Sequence, residues 1–300
     1  MNQTLPRLTS SGSPFPPERL SFLNESTHLM GDFEALHQAI ERDGYLFIKG
    51  FHSREKVLEA RQAVLAQLKA EGIILDDQGP DESKVAEGVE CAFRPDLASL
   101  PLIPDLLYSE KVMSFFSGLF NEEALHYDYT WLRAVSSGLA TKPHYDIVYM
   151  GRGTEQVCTL WTPLSDIDWP LGGLAILENS HKNEELKSTY GKVDVDKVCS
   201  NKQGRSEWED KGLIGFGALP DSVGDLATAL GGRWLTSTYE MGDVLIFSMH
   251  TLHCSTDNKT DRIRLSTDSR YQPASLPADE RWVGANPLGH GEKAKREMIC

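Results

Sequence analysis

Residues 242–271 hold two runs suited to extended backbone. Val-Leu-Ile-Phe at 244–247 follows a Gly-Asp turn, and an alternating run at 263–271 follows a polar turn containing Asp257, Asn258 and Lys259. β-Branched and aromatic residues bounded by turn formers are strand signals, so this stretch predicts two antiparallel strands joined as a hairpin. A chain that spends about thirty residues on such a pair folds around β structure.

The same signal recurs upstream at residues 125–136, 147–150, 157–162 and 174–177. Helical periodicity is confined to the N-terminal side: residues 33–42 with Asp32 as cap, a longer helix from Ser53 to a stop at Gly72, and residues 106–120. No glycine-rich phosphate loop stands at a strand-to-helix junction. The order predicts a mainly β protein with flanking helices, its core a double-stranded β-helix or jelly roll of cupin-like shape. Within the 300 residues, 1–30 read as a loose tail rich in Ser, Thr and Pro, and 31–300 as one domain. That domain divides into a helical part at 31–120 and a jelly-roll core at 121–282, interrupted by a charged insert at 180–235 that is expected to act as a lid.

Chemistry enters through His253, at the end of the first run, and Arg264, eleven residues later. About a hundred residues upstream stands His144-Tyr145-Asp146. Side chains at i and i+2 of an extended segment point the same way, so His144 and Asp146 can fill adjacent corners of a metal's coordination sphere. With His253 they make two imidazoles and one carboxylate, a set that leaves three positions open on Fe(II). Those suffice for a bidentate 2-oxo acid and O2, and Arg264 is placed to clamp the far carboxylate of the acid.

Several further pieces stand in order around these residues: Asp43 to Gly50, Trp161-Thr162-Pro163-Leu164, Gly172-Gly173-Leu174, Asn179-Ser180-His181, Gly242-Asp243, and His253-x-Ser255 followed by Asn258 and Arg264. Together they resemble the phytanoyl-CoA dioxygenase-like family of Fe(II)- and 2-oxoglutarate-dependent oxygenases, over roughly residues 33–282. The resemblance implies iron held by His144, Asp146 and His253, with 2-oxoglutarate as cosubstrate bound by Arg264, Ser255 and Trp161. It selects His253 over His250, three residues earlier, for the third ligand position. It also implies hydroxylation, or desaturation, of an unactivated C–H bond with release of succinate and CO2. Related halogenases lack the carboxylate that Asp146 supplies here. Position alone marks Tyr127, Tyr129, Lys142, Tyr149 and Arg270 as possible substrate or cosubstrate contacts. Cys254 and Arg262 point away from the metal by parity or by exposure.

Lys plus Arg number 30 against 44 Asp plus Glu, a net charge of −14, so the surface field repels nucleic acid and anionic membranes. No apolar run approaches the roughly 20 residues that cross a bilayer. Five scattered cysteines without CxxC spacing suit reduced thiols and a cytoplasmic setting. The substrate is expected to be a small metabolite or natural-product intermediate, because no basic cluster suits the phosphates of coenzyme A. An alternative is a cupin-like isomerase or hydrolase that uses the metal without 2-oxoglutarate; a non-catalytic jelly-roll binding module is the remaining one.

Overall fold

The computed structural model describes residues 5–75, 83–197 and 217–290. Its larger sheet has six strands: β4 (Tyr45–Ile48), β5 (Ala124–His126), β6 (Trp131–Val135), β7 (Cys158–Pro163), β10 (Val244–Ser248) and β12 (Arg264–Pro273). They run in the order β4, β10, β7, β12, with β5 and β6 side by side along the far edge of β12. The smaller sheet comprises β3 (Leu20–Phe22), β8 (Leu174–Leu177), β9 (Trp234–Thr236) and β11 (His253–Ser255), in the order β11, β8, β9, β3. All pairings are antiparallel except β3 with β9. A separate two-residue ladder joins β1 (Thr9–Ser10) to β2 (Ser13–Pro14).

Side chains from both sheets meet between them: Tyr45, Phe47, Trp161, Leu245 and Phe247 from the larger pack against Leu174, Ile176 and Leu235 from the smaller. Helix α1 (Phe33–Asp43) and helix α4 (Glu110–Phe120) cover the outer face of the larger sheet through Leu36, Ala39, Phe115, Phe116 and Leu119. Beside them α2 (Arg54–Ala70) and α3 (Leu102–Leu107) pack on Leu132, Ala134 and Leu265. This is the jelly-roll sandwich with flanking helices that the strand pattern implies.

Four expectations are corrected. Residues 242–271 do not form a hairpin: β7 lies between β10 and β12, and the chain visits the other sheet as β11 on the way. Alternation marks an extended, one-faced segment but leaves its partner unspecified. Residues 147–150 are a helical turn, α5 (Ile147–Met150), because a short continuous apolar run does not distinguish strand from helix. The first thirty residues are no loose tail from residue 5 on: β3 is a sheet strand, Phe15 packs edge-on against Trp234 at 5.6 Å, and the Ser11 and Gly12 amides hold the Asp257 carboxylate at 2.6 and 3.0 Å. The expected insert carries α6 (Glu184–Ser188), α7 (Val223–Leu230) and β9, whose aromatic Trp234 is sheet core; its residues 198–216 lie outside those described.

Candidate metal centre

His144 and His253 sit opposite each other in a two-way backbone bridge, His144 N to His253 O at 3.0 Å and His253 N to His144 O at 3.1 Å. The bridge extends the smaller sheet past β11 and puts both rings on one face, 4.2 Å apart between centroids. Each Nδ1 lies against the carbonyl two residues before it, Lys142 O at 2.7 Å and Thr251 O at 2.9 Å. A carbonyl only accepts, so each Nδ1 carries the proton and each Nε2 presents a lone pair. Burial, and then the neighbouring His144, push the His253 imidazole down to about 3, so it is neutral at working pH and free to act as a ligand.

Asp146 stands at the start of α5, two residues after His144. Its Oδ1 lies 3.6 Å from His144 Nε2 and 3.8 Å from His253 Nε2. Its Oδ2 accepts from Thr159 Oγ1 at 2.5 Å and Arg270 Nη2 at 2.9 Å, which fixes which oxygen faces the histidines. Burial raises the Asp146 carboxyl, but the Arg270 guanidinium leads the charges that outweigh it and hold it well below the usual carboxylate range. Three buried acceptor atoms thus lie within 4.8 Å of one another with no hydrogen among them. They repel one another unless a cation sits between, and two imidazoles with one carboxylate are the donor set of a ferrous facial triad. The residues fit the metal.

Arg264 opens β12, 1% exposed, and its side chain enters the space between the sheets. Nη1 donates to Gly172 O at 2.9 Å, Nη2 lies 3.5 Å from Ser255 Oγ, and Nε has no hydrogen-bond partner among the described residues. Gly172 is needed there: its φ is +79°, and a Cβ would meet the Thr256 and Asp257 carbonyls at 2.7 Å. Burial, then Arg133, lowers the Arg264 guanidinium to about 10, which leaves it charged at neutral pH. A buried cation with no carboxylate bridged to it, among the described residues, fits the distal carboxylate of a 2-oxo diacid.

The other expected residues divide. His250 is outside the cluster: it packs edge-on to Tyr145 at 5.7 Å, on the face opposite His144. Tyr149 stands edge-on to His144 at 5.5 Å, and Arg270 binds Asp146. Ser255 Oγ accepts from Thr141 N at 2.8 Å beside Arg264. Lys142 is exposed and serves the site through its carbonyl. Trp161 lies in the apolar part of the sandwich, edge-on to Tyr239 at 4.7 Å. Tyr127 is fully buried core, and Tyr129 makes edge contacts with Trp131 and Trp282 at 4.7 and 5.1 Å. Cys254 points out of the sandwich and Arg262 pairs at the surface with Asp168. Sequence reasoning missed Thr159, Trp131 and the Arg133–Asp268 pair at 2.8 Å. Parity held the signal: Thr159 shares a face with Trp161, and Asp268 with Arg264 and Arg270.

The family model for phytanoyl-CoA dioxygenase matches residues 40–266. Among curated relatives, a 1-deoxypentalenic acid 11-beta-hydroxylase of Streptomyces exfoliatus is 26% identical over 269 residues, covering 86% of this chain and 87% of the relative. Among solved structures, the non-heme alpha-ketoglutarate-dependent epimerase SnoN from nogalamycin biosynthesis superposes with a TM-score of 0.55 at 16% identity, covering 85% of this chain and 92% of that one. The carbocyclase SnoK from the same biosynthesis also gives 0.55, at 17% identity, with 89% and 96% covered. Those two likenesses concern the fold.

Proposed function

The chain belongs to the phytanoyl-CoA dioxygenase family, and on that premise we propose that His144, Asp146 and His253 hold its ferrous ion and that Arg264, beside Ser255, binds the distal carboxylate of 2-oxoglutarate. The protein is an Fe(II)- and 2-oxoglutarate-dependent dioxygenase. One observation carries the site assignment: three buried, hydrogen-free acceptor atoms converge while a buried guanidinium nearby lacks a carboxylate.

When bound, the iron and 2-oxoglutarate supply the oxidising chemistry, with succinate and CO2 as by-products. The protein's own residues set geometry. The Lys142 and Thr251 carbonyls fix the imidazole tautomers, and Thr159 with Arg270 turns Asp146 so that one oxygen is presented. The buried walls exclude water from the reacting centre. Retention of Asp146 favours hydroxylation over halogenation, in keeping with the hydroxylase relative. The substrate is a small metabolite of natural-product type.

The test is succinate formation from 2-oxoglutarate by the iron-loaded protein in air, against His253→Ala. We expect iron-dependent turnover, slow without substrate, at least a hundredfold above the variant. Iron uptake with turnover no faster than the variant would favour the cupin-like alternative.

A further inference from the structure

Arg270 is 2% exposed, and Nη2 alone is bonded, to Asp146 Oδ2. Nε and Nη1 are buried and have no hydrogen-bond partner among the described residues. One face of the guanidinium is covered by the Trp131 ring, whose centroid lies 4.1 Å from Cζ. A buried guanidinium with two idle donors is expensive, and nothing about orienting Asp146 requires them to stay idle.

Charge gives the same reading. Among the side chains that β6 and β12 send into the sandwich, together with Asp146 at the start of α5, Arg133, Arg264 and Arg270 stand against Asp268 and Asp146; Arg133 pairs with Asp268 and Arg270 with Asp146. One positive charge is left over. A ferrous ion and a doubly charged 2-oxo diacid cancel each other, so the fully assembled site keeps that excess. Buried excess charge draws a counter-ion.

We propose that Arg270 receives a carboxylate of the substrate, so that the enzyme acts on a carboxylic acid anchored next to the metal. This rests on the iron and 2-oxoglutarate reading above. The remainder of the substrate is apolar carbon, because the groups flanking the two polar anchors are aromatic: Trp131 on Arg270 and Tyr149 on His144. Tyr129, which packs on Trp131, and Tyr149 are only half-buried, whereas the three metal-binding side chains are buried, so this aromatic side is the approach to the centre. Arg270 thereby has two tasks, holding Asp146 through Nη2 and holding a substrate carboxylate through Nη1, while Nε lies on another edge of the guanidinium.

The test is anaerobic calorimetry on the Fe(II)- and 2-oxoglutarate-loaded protein with two probes of one skeleton, adamantane-1-carboxylate and adamantane-1-carboxamide. Wild type is expected to bind the acid at least tenfold more tightly than the amide. Arg270→Gln should bring the ratio within threefold, and Arg270→Lys, which keeps the charge without the planar guanidinium, should retain a smaller preference for the acid. Equal binding of the two probes to wild type, binding of neither, or an unchanged preference in Arg270→Gln would overturn the proposal. Failure of 2-oxoglutarate to bind the iron-loaded wild type would instead strike the parent reading. Should Arg270→Gln lose its metal, the wild-type comparison of acid with amide still decides.

Discussion

Strands β10 and β12 lie on either side of β7, yet they face the interior of the sandwich with opposite chemistry. β10 presents Leu245 and Phe247, which join Tyr45, Trp161 and Tyr239 in an apolar cluster. β12 presents Arg264, Ser266, Asp268 and Arg270, all buried. Their outer faces both bury apolar residues beneath the helices, Val244 and Ile246 on one and Leu265 and Tyr271 on the other, the latter two with Thr267 and Ser269 between them. The apolar half therefore holds the sheets together, while the half built on β12 gives up hydrophobic burial for fixed charges. A protein tolerates that exchange where the charges have work to do.

The contrast can be broken from either side. Leu245→Ala removes a fully buried side chain from the apolar half and should cost about 2–5 kcal/mol in denaturant unfolding, with metal affinity nearly unchanged once folded. Arg264→Ala should do the reverse. It is expected to lower 2-oxoglutarate affinity about a hundredfold, roughly 2.7 kcal/mol by titration, with little loss of stability because it deletes an isolated buried charge. If Arg264→Ala unfolded as easily as Leu245→Ala, the ionic half would be structural.

Thr159→Val sharpens the comparison at the strand where the two halves meet. It removes one of the two bonds to Asp146 Oδ2 and should weaken iron binding about 10–100-fold, measured by competition with a chelator, while leaving the apolar cluster intact. A last effect, absent at neutral pH, lies outside the sandwich. Burial, and then Lys111, push His52 down to about 3, below its unfolded value of about 6.5. The folded form therefore stays neutral while the unfolded chain takes up a proton, and stability falls as pH drops from about 6.5 towards 3, by up to roughly 1.4 kcal/mol per pH unit from this group. His52→Phe should flatten the unfolding profile in that window by this amount.

The clustering of His144, Asp146 and His253 was more legible in the sequence than the topology that assembles it. His144, Asp146 and His253 converge because i, i+2 spacing and an ordered motif set encode a local geometry that long-range pairing then completes. The spacing to His253 singled out Arg264, which the fold buries beside Ser255. The partner of β12 was not, because alternation in residues 263–271 is satisfied by any neighbour with a matching face, and β7 rather than β10 takes that place. The packing of the first thirty residues was likewise hidden. Its anchors are single contacts, Phe15 on Trp234 and the Ser11 and Gly12 amides on Asp257, which leave no periodic trace. Arg270 was seen as a polar contact by parity, but its bond to Asp146 required the fold.

The central claim is that the ionic half of the sandwich holds a ferrous ion and 2-oxoglutarate together. Anaerobic addition of 2-oxoglutarate to the Fe(II)-loaded protein tests it most directly, through the weak visible charge-transfer band of a 2-oxo acid chelated to ferrous iron. The account predicts a band that saturates with 2-oxoglutarate, is lost in His253→Ala and needs far more cosubstrate in Arg264→Ala. Tight iron binding with no band at any 2-oxoglutarate concentration would contradict it.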